Sequence, residues 1–281
     1  MMNSPMLCES TTEETLASTQ YLWERKRDGC RSFLIFKDGK TRLVNRRGTD
    51  ITSEFPELAI QVLPFPCILD GEIVIESRED KFNAPSTAVR VNRTNASDIR
   101  MMSKLFPANF IAFDIVEQNG LPLAEKPLEE RKRRLLLLDR ATPRIKISDI
   151  YEDGNKAWGL AMLGGWEGLV AKRRGSKYEY RRSSAWLKLK RWQEKDCKVI
   201  GFTTEHRDVS AFILENNGKV NCSLNQIEYV SLLTELPRLI THEEAGITFI
   251  KPVFTAKVRY LSESNGVMRF PTLRELVRDD A

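Results

Sequence analysis

The sequence predicts an α+β fold in two parts, a larger domain of antiparallel strands with helices at residues 1–193 and a smaller β-rich domain at residues 194–281. Three observations support this prediction. β-branched and aromatic runs with hairpin turns dominate the first part, helical patterns occur there as isolated segments, and after Trp192 the chain changes to short strands and turns. The hydrophobic fraction of 41% is sufficient for cores of ordinary size.

The elements of the larger domain follow from β-rich runs, turn residues and helical patterns. Residues 21–45 are strand-rich, and Asp38-Gly39 between two such runs is a strong hairpin signal. Pro127 precedes a helical segment with a charged first half, and Gly164-Gly165 closes another. The predicted strands are 32–36, 41–45, 67–75, 109–116, 168–173 and 185–192, and the predicted helices are 129–140 and 155–163.

The smaller domain is predicted from short β-rich runs that surround a single helical segment. The predicted strands are 198–204, 211–215, 219–223 and 252–260, and the predicted helix is 226–236, ended by Pro237. Several short strands with one helix, in fewer than about 90 residues, are typical of a small barrel such as an OB fold. We therefore place the domain boundary near Gln193 and predict an OB-fold domain after it.

Positive charge is concentrated in one stretch of the chain. The net charge is only +5, but residues 172–191 contain nine basic side chains and one acid, with Tyr178, Tyr180 and Trp186 interleaved. Such a stretch suits a polyanion such as DNA, because each phosphate contact releases counterions; the alternative is a solvated charged face. The candidate DNA-binding residues are Lys172, Arg173, Arg174, Lys177, Arg181 and Arg182.

Composition disfavours several classes of function. No two cysteines have CxxC spacing, so a zinc site or a disulfide framework is not expected, and both histidines lie away from the motifs below. No apolar run approaches the roughly 20 residues of a membrane helix, and residues 1–10 lack the layout of a signal peptide. We therefore expect a cytoplasmic protein without membrane contact.

The most informative motif is K-x-D-G-x-R, formed here by Lys26, Asp28, Gly29 and Arg31. A lysine acts as a nucleophile only when its amine is neutral, and nearby cations or burial favour that state. A strand through this segment would place Lys26, Asp28 and Cys30 on one face. Gly29 would let the backbone approach a ligand closely, and Arg31 could clamp a phosphate or a ribose.

This segment resembles motif I of the covalent nucleotidyltransferases, which comprise ATP-dependent DNA ligases, RNA ligases and mRNA capping enzymes. Five further segments resemble the other motifs of that superfamily, in the family's order, and the resemblance covers almost the whole chain. They are Arg46-Arg47-Gly48, Asp70-Gly71-Glu72, Phe113-Asp114, the run from Glu167 to Lys172 and the run from Trp186 to Lys190. The segment from Glu167 to Arg191 is most similar to ligase domains of bacterial and archaeal end-joining ligases.

The resemblance implies a role for each matching residue, with Lys26 as the nucleophile that accepts AMP from ATP and Asp28 as a residue that orients the lysine or the DNA 3′ end. It places Glu24 and Phe113 at the adenine, Arg46 and Glu72 at the ribose, and Arg31, Lys188 and Lys190 at phosphate. Glu72 and Glu167 would hold Mg²⁺ or Mn²⁺. Independently, the two-residue spacing of Lys188 and Lys190 puts both ammonium groups on one face of a strand. Without the resemblance, Phe113 would be read as a core aromatic residue.

The last motif of the superfamily, R-x-D-K, is matched incompletely. Arg278 and Asp280 occupy its first and third positions, and the resemblance implies that they orient the leaving pyrophosphate. Ala281 stands where the motif has its lysine. We therefore expect a less efficient self-adenylylation step, while the lysine nucleophile itself is unaffected.

The resemblance implies an ATP-dependent DNA ligase of the compact type that seals nicked or broken duplex DNA through a lysine-AMP intermediate. Motif I begins near the start of the sequence, so we expect no large N-terminal DNA-binding domain and weak, salt-sensitive DNA binding. End-joining repair is the implied pathway, with a Ku-like end-binding protein and a separate polymerase as partners and the chain itself a monomer. The alternatives are an RNA ligase or capping enzyme, or a catalytically weak DNA-end-binding module.

Overall fold

The computed structural model describes residues 4–75, 90–91, 93–139, 141–216, 218–264 and 267–279. The chain divides into two compact units, Met1–Lys190 and Arg191–Ala281, a division close to the one placed at Gln193 from sequence. Within the described residues, no helix is long and apolar enough to cross a membrane. The elements of each unit are given below in chain order.

The first unit combines two sheets with four α-helices among its described residues. Its strands are β1 (Leu7–Ser10), β2 (Tyr21–Arg25), β3 (Cys30–Lys37), β4 (Lys40–Asn45), β5 (Cys67–Ile75), β6 (Ala108–Gln118), β7 (Leu121–Pro122), β8 (Ile145–Ile147), β9 (Gly168–Arg173) and β10 (Arg182–Lys190). Its helices are α1 (Pro56–Ala59), α2 (Ala96–Leu105), α3 (Leu128–Leu136) and α4 (Gly154–Leu163), and 3-10 turns occur at Glu13–Ala17 and Thr52–Glu54.

The two sheets of the first unit are largely antiparallel. One has the strand order β1-β10-β9-β2, with β1 parallel to β10. The other has the order β4-β3-β5-β6-β7, and β8 pairs with β6 in parallel. Helix α4 covers the first sheet, where Ala157 and Ala161 pack against Trp23 and Leu169 in one buried cluster. The second sheet has its own apolar core with α1 and α3, centred on Phe55 and Phe110.

The predicted hairpin between β3 and β4 is confirmed. Asp38 and Gly39 have φ angles of 50° and 71°, the left-handed pair that a two-residue hairpin turn requires. The strands predicted at 67–75 and 168–173 have those bounds in the structure, and the other predicted strands of this unit are present with shifted ends. The helix predicted at 129–140 ends earlier, at Leu136, and Arg140 lies outside the described residues.

The prediction that motif I lies on a strand is wrong. Strand β2 ends at Arg25 and β3 begins at Cys30, so Lys26, Asp28 and Gly29 lie in the connection between the two sheets. The reason is topological, because β2 pairs with β9 whereas β3 pairs with β4 and β5. At Gly29 a Cβ atom would lie 2.1 Å from the backbone oxygen of Ile73, so this crossing demands glycine.

The second unit is a smaller β structure with one α-helix among its described residues. Its elements are β11 (Gln193–Thr203), β12 (Ala211–Leu214), β13 (Lys219–Asn221), α5 (Gln226–Glu235), a 3-10 turn at Leu236–Arg238, β14 (Ile240–Glu244), β15 (Ile247–Tyr260), β16 (Ser262–Ser264), β17 (Val267–Arg269) and β18 (Thr272–Arg278). The order β13-β12-β11-β15-β14, with β18 also on β15, gives an antiparallel sheet around a core that includes Phe212 and Phe254. The predicted α+β fold class is confirmed, and this unit is consistent with the predicted OB fold.

Candidate active site

A cavity of about 520 Å³, including its open mouth, lies in the first unit where strands of both sheets meet. Side chains from β1, β2, β3, β5, β6, β9 and β10 and from the β2–β3 connection line it. They are Cys8, Glu24, Arg25, Lys26, Arg27, Arg31, Glu72, Phe113, Val170, Lys172, Trp186 and Lys188. Six of these are cations and two are carboxylates, so the cavity suits an anionic ligand that also has an apolar or aromatic part.

Lys26 enters the cavity from the connection between the sheets. Its backbone N–H donates to the oxygen of Gly168 at 2.9 Å, which ties the connection to β9. Its Nζ donates to Oε2 of Glu167 at 2.6 Å, and the side chains are 23% and 10% exposed. The Lys26 amine is therefore accessible from the cavity, and the Glu167 carboxylate lies where it can accept a proton from it.

Glu72 is the second carboxylate near Lys26. Burial raises the pKa of Glu72 to about 7; the charges of Arg31 and Lys26 oppose this shift, and Glu167 adds to it. Two such carboxylates supply the hard oxygen donors that Mg²⁺ and Mn²⁺ prefer, and Mg²⁺ commonly takes one or two carboxylates together with substrate phosphates. Glu72 and Glu167 therefore fit a divalent metal, although the described residues contain no cluster of three or more His, Cys, Asp or Glu ligands.

Arg31 is held in one orientation by a buried network. Its Nε and one terminal nitrogen donate to the two oxygens of Asp70, both at 2.6 Å, and the fork also reaches the oxygen of Met6 at 3.1 Å. The hydroxyl of Tyr178 donates to Asp70 at 2.5 Å and accepts from the backbone N–H of Met6 at 3.0 Å. Tyr178 and Asp70 had no predicted role at the site, and nothing in their sequence spacing signals this contact.

Aromatic side chains form the apolar part of the cavity. The rings of Phe113 and Trp186 meet edge to face with centroids 6.1 Å apart. The guanidinium of Arg31 lies 4.5 Å from the centroid of Phe113, as does the ammonium of Lys172. The half-buried ring of Phe113 therefore lies among cations in the pocket, and its place beside a nucleotide base stays a prediction.

The prediction that Lys172 binds DNA is wrong. Its side chain is 1% exposed, and its Nζ lies 2.9 Å from Oε1 of Glu24 in the interior of the pocket. On β9 it pairs with Trp186 of β10 and projects between the aromatic rings, whereas its neighbour Arg173 is exposed. Burial lowers the pKa of Lys172 to about 8, while Glu24 opposes the shift.

Lys188 and Lys190 lie on β10 near Lys26. Lys188 lines the cavity, and both side chains are half-buried. Burial lowers the pKa of Lys190; the charges of Lys26 and Lys188 act in the same direction, while Glu167 and Asp28 act against it. The structure thus places the two lysines of the predicted phosphate site near Lys26, the predicted nucleophile, and Glu167.

Five residues predicted for catalysis, the nucleotide or the metal are not among those that line the cavity; they are Glu167 and Lys190, described above, and Asp28, Arg46 and Arg278. Arg46 is exposed at the end of β4, although its backbone N–H donates to the oxygen of Arg31 at 3.1 Å. Asp28 is exposed beside Lys26. Arg278 belongs to the second unit, where its Nε donates to Glu235 at 2.8 Å, and Asp280 lies outside the described residues.

The remaining predicted DNA-binding residues lie on the surface of the first unit. They are Arg173, Arg174, Lys177, Arg181 and Arg182, all of them exposed. Several are paired with acids in this structure; for example, Lys177 lies 2.8 Å from Glu125, and both side chains are more than half exposed. Exposed pairs of this kind contribute little to stability, so these cations remain available to phosphates.

Fold and pocket together have the layout of a nucleotidyltransferase domain, and comparison with known proteins agrees. The model of a family described as "ATP dependent DNA ligase domain" matches residues 5–190. The chain is 30% identical over 284 residues to the multifunctional non-homologous end joining DNA repair protein LigD of Mycobacterium tuberculosis, covering 92% of this chain and 36% of LigD. It is 27% identical to the SPbeta prophage-derived DNA ligase-like protein LigB of Bacillus subtilis, covering 97% of this chain and 98% of LigB.

A similar solved structure is described as mycobacterial DNA ligase D complexed with ATP and MES. It superposes with a TM-score of 0.61 at 28% identity and covers 99% of this chain and 96% of that chain. The chain belongs to the ATP-dependent DNA ligase family, which confirms the resemblance drawn from its motifs. It spans 36% of the length of the mycobacterial LigD proteins that it matches.

Proposed function

We propose that this chain is an ATP-dependent DNA ligase that accepts AMP on Lys26 and seals breaks in duplex DNA. The observation that carries the proposal is the position of the Lys26 amine, which enters a cation-lined pocket and is held by Glu167 at 2.6 Å. A lysine nucleophile, aromatic surfaces for a base and several phosphate-binding cations are the components that lysine adenylylation needs. Family membership supports the same activity.

In the first step, Glu167 would take the proton from the Lys26 ammonium. The neutral amine then attacks the α-phosphorus of ATP, so that a nitrogen–phosphorus bond forms while the bond to the pyrophosphate oxygen breaks. Lys188, Lys190 and Arg31 face the charge that develops on the phosphate oxygens. The rigid bidentate pair between Arg31 and Asp70 keeps this cation oriented before the nucleotide arrives.

In the second and third steps, AMP passes from Lys26 to a 5′-phosphate at the break, and a 3′-hydroxyl then attacks that activated phosphate with release of AMP. Asp28 is exposed beside Lys26, a place from which it can orient the incoming strand. Glu72 and Glu167 would hold Mg²⁺ or Mn²⁺, which neutralises phosphate charge when bound. Arg46 would approach the ribose from the end of β4, and Arg278 of the second unit would act on the pyrophosphate.

The exposed cations Arg173, Arg174, Lys177, Arg181 and Arg182 are the proposed contacts with the DNA backbone. End-joining repair of broken DNA is the proposed context, since the LigD relatives are named for that pathway. A Ku-like end-binding protein and a separate repair polymerase are the proposed partners, and a cytoplasmic monomer is the proposed state.

The test is the intact mass of the protein after incubation with ATP and Mg²⁺ or Mn²⁺. Beforehand, pyrophosphate treatment removes any AMP already attached. The wild type and a Lys37→Ala control, altered at an exposed residue of the β3–β4 hairpin, are expected to gain one AMP. Lys26→Ala and chelator-treated wild type are expected to gain none. An unmodified wild type under both metals, or an adduct that persists in Lys26→Ala, would contradict the proposal.

Substrate choice is tested separately with the adenylylated protein. Nicked DNA duplexes, nicked RNA duplexes and a capping-type acceptor with a 5′-diphosphate end are compared at equal concentration. Sealing of the nicked DNA supports the DNA ligase, whereas transfer only to RNA or to the diphosphate end would indicate an RNA ligase or a capping enzyme.

A further inference from the structure

A buried cluster of charges lies behind the nucleotide pocket and includes a residue that no motif predicted. Glu24 is 2% exposed, and its Oε1 contacts two ammonium groups, Nζ of Lys132 at 2.5 Å and Nζ of Lys172 at 2.9 Å. Lys132 is in the charged first half of α3, yet it is only 4% exposed. Buried charges are costly unless they are compensated, and here the two ammonium groups compensate the charge of the Glu24 carboxylate.

The same two ammonium groups also bind the main chain of Phe113. Lys132 donates to the Phe113 oxygen at 2.6 Å and Lys172 donates to it at 2.8 Å. The same two ammonium groups therefore link Glu24, through ion pairs, to Phe113, through hydrogen bonds, although one residue lies on a strand of the first sheet and the other on a strand of the second. Both residues line the pocket, so the cluster fixes a carboxylate and an aromatic ring relative to each other.

Helix α3 is itself anchored at the residue before Lys132. The fully buried guanidinium of Arg131 donates to both oxygens of the fully buried Asp114, at 2.8 and 3.0 Å. Asp114 directly follows Phe113, so α3 binds two consecutive residues of β6, Phe113 through Lys132 and Asp114 through Arg131. This double attachment leaves Lys132 little freedom to move away from Glu24.

The chemistry of Glu24 indicates what this rigidity achieves. An ionised carboxylate only accepts hydrogen bonds, so it favours a base that presents an amino group and disfavours one that presents a carbonyl at the same position. Adenine and guanine differ in this way at their six-position. A carboxylate held at a fixed distance from a stacking ring can discriminate between them, whereas a mobile one discriminates poorly.

We propose that Lys132, together with Lys172, is a positioning residue that sets the base selectivity of the pocket by holding the Glu24 carboxylate in a fixed position relative to Phe113. This inference rests on the proposed function only in taking ATP as the natural nucleotide. Neither lysine needs to touch the nucleotide, because both act through the two residues that would.

The experiment measures Kd for ATP and for GTP by calorimetry in the Lys26→Ala background, where binding occurs without adduct formation. Lys132→Met in that background is expected to lower the preference for ATP over GTP at least tenfold, mainly by weakening ATP. Arg133→Met, altered at the exposed next residue of α3, is the matched control and is expected to keep the parental preference. Lys132→Arg is expected to restore part of the selectivity.

A second measurement separates positioning from general instability. If Lys132 acts through Glu24, Glu24→Gln alone and Glu24→Gln with Lys132→Met should show the same low preference. If Lys132→Met fails to fold, Lys172→Met and Lys132→Arg are measured in its place. An unchanged ATP-to-GTP ratio in folded Lys132→Met or folded Lys172→Met would overturn the inference, and so would a Lys26→Ala parent that binds neither nucleotide.

The outcome is independent of whether the chain forms lysine-AMP. A wild type that gains no AMP, while Lys26→Ala binds ATP selectively and Lys132→Met does not, would refute the proposed activity and still support the positioning role. The opposite result, normal adenylylation with unchanged selectivity in Lys132→Met, would refute the positioning role alone.

Discussion

Nζ of Lys26 lies 2.6 Å from Oε2 of Glu167, so the proposed nucleophile is in direct contact with a carboxylate that can accept its proton. The contact joins the β2–β3 connection to the residue that precedes β9, and the Lys26 backbone is held by the next residue, Gly168. In the proposed mechanism this carboxylate would accept the Lys26 proton and would also help to hold the metal.

We predict that Glu167→Gln lowers the single-turnover rate of lysine-AMP formation by about 10²–10⁴-fold, because an amide cannot accept the ammonium proton. The rate of the variant should rise with pH more steeply than that of the wild type, since solvent must then remove the proton. Quenched-flow labelling with radioactive ATP measures both. Glu152→Gln, at an exposed acid of the same unit, is the control; equal pH profiles for Glu167→Gln and wild type would exclude the proton-accepting role.

The Arg31 network leads to a prediction about Tyr178. Tyr178→Phe removes the hydroxyl that donates to Asp70 and accepts from Met6, so the bidentate partner of Arg31 loses a support. We expect a loss of about 1–3 kcal/mol in the free energy of unfolding, because a buried carboxylate loses a donor. We also expect a higher KM for ATP with a smaller effect on kcat. Urea unfolding and initial rates test this, with Tyr180→Phe as the control; an unchanged KM would show that Arg31 needs no such support.

The lowered pKa of Lys172 predicts how stability depends on pH. Its ordinary pKa is 10.5 and burial brings it to about 8, so the folded protein binds fewer protons than the unfolded chain between these values. Stability from this group therefore rises as pH increases from 8 to 10.5, and the full cost of burying the charge is present below pH 8. The groups that face Lys172 are Glu24, Lys132 and Asp114.

Lys172→Met removes this titration. In metal-free urea unfolding, the free energy of wild type relative to Lys172→Met should increase by about 2–3 kcal/mol between pH 7.5 and pH 10.5. Arg173→Met, changed at the exposed neighbour, should show no such pH-dependent difference. A constant difference between wild type and Lys172→Met would mean that Lys172 keeps an ordinary pKa in the folded protein.

The fold and the pocket differ in how far they can be predicted from sequence alone. The β3–β4 hairpin followed from Asp38-Gly39, and the motif order located the pocket residues, because both depend on local or collinear patterns. The burial of Lys132 and Lys172 did not follow, since a basic residue on a helix or strand is ordinarily solvated, and only tertiary packing brings these two to Glu24. The prediction of a strand at Lys26 was wrong for a related reason. The alternation of side chains within one segment cannot show that the chain leaves one sheet there and enters another.

The exposed cations of the first unit predict the salt dependence of DNA binding. Each phosphate contact contributes about −0.9 to the slope of log K against log salt concentration, so replacing Arg173, Arg174 and Lys177 by Ala should make the slope less negative by about 2–3. Adenylylation by ATP should be unchanged, because these side chains lie outside the pocket lining. Fluorescence anisotropy with a nicked duplex at several salt concentrations measures the slope.

The matched control replaces Lys37, Lys40 and Arg42, exposed cations of the β3–β4 hairpin. If both triple variants change the slope equally, the binding is a general effect of net charge; if neither does, the DNA contacts lie elsewhere.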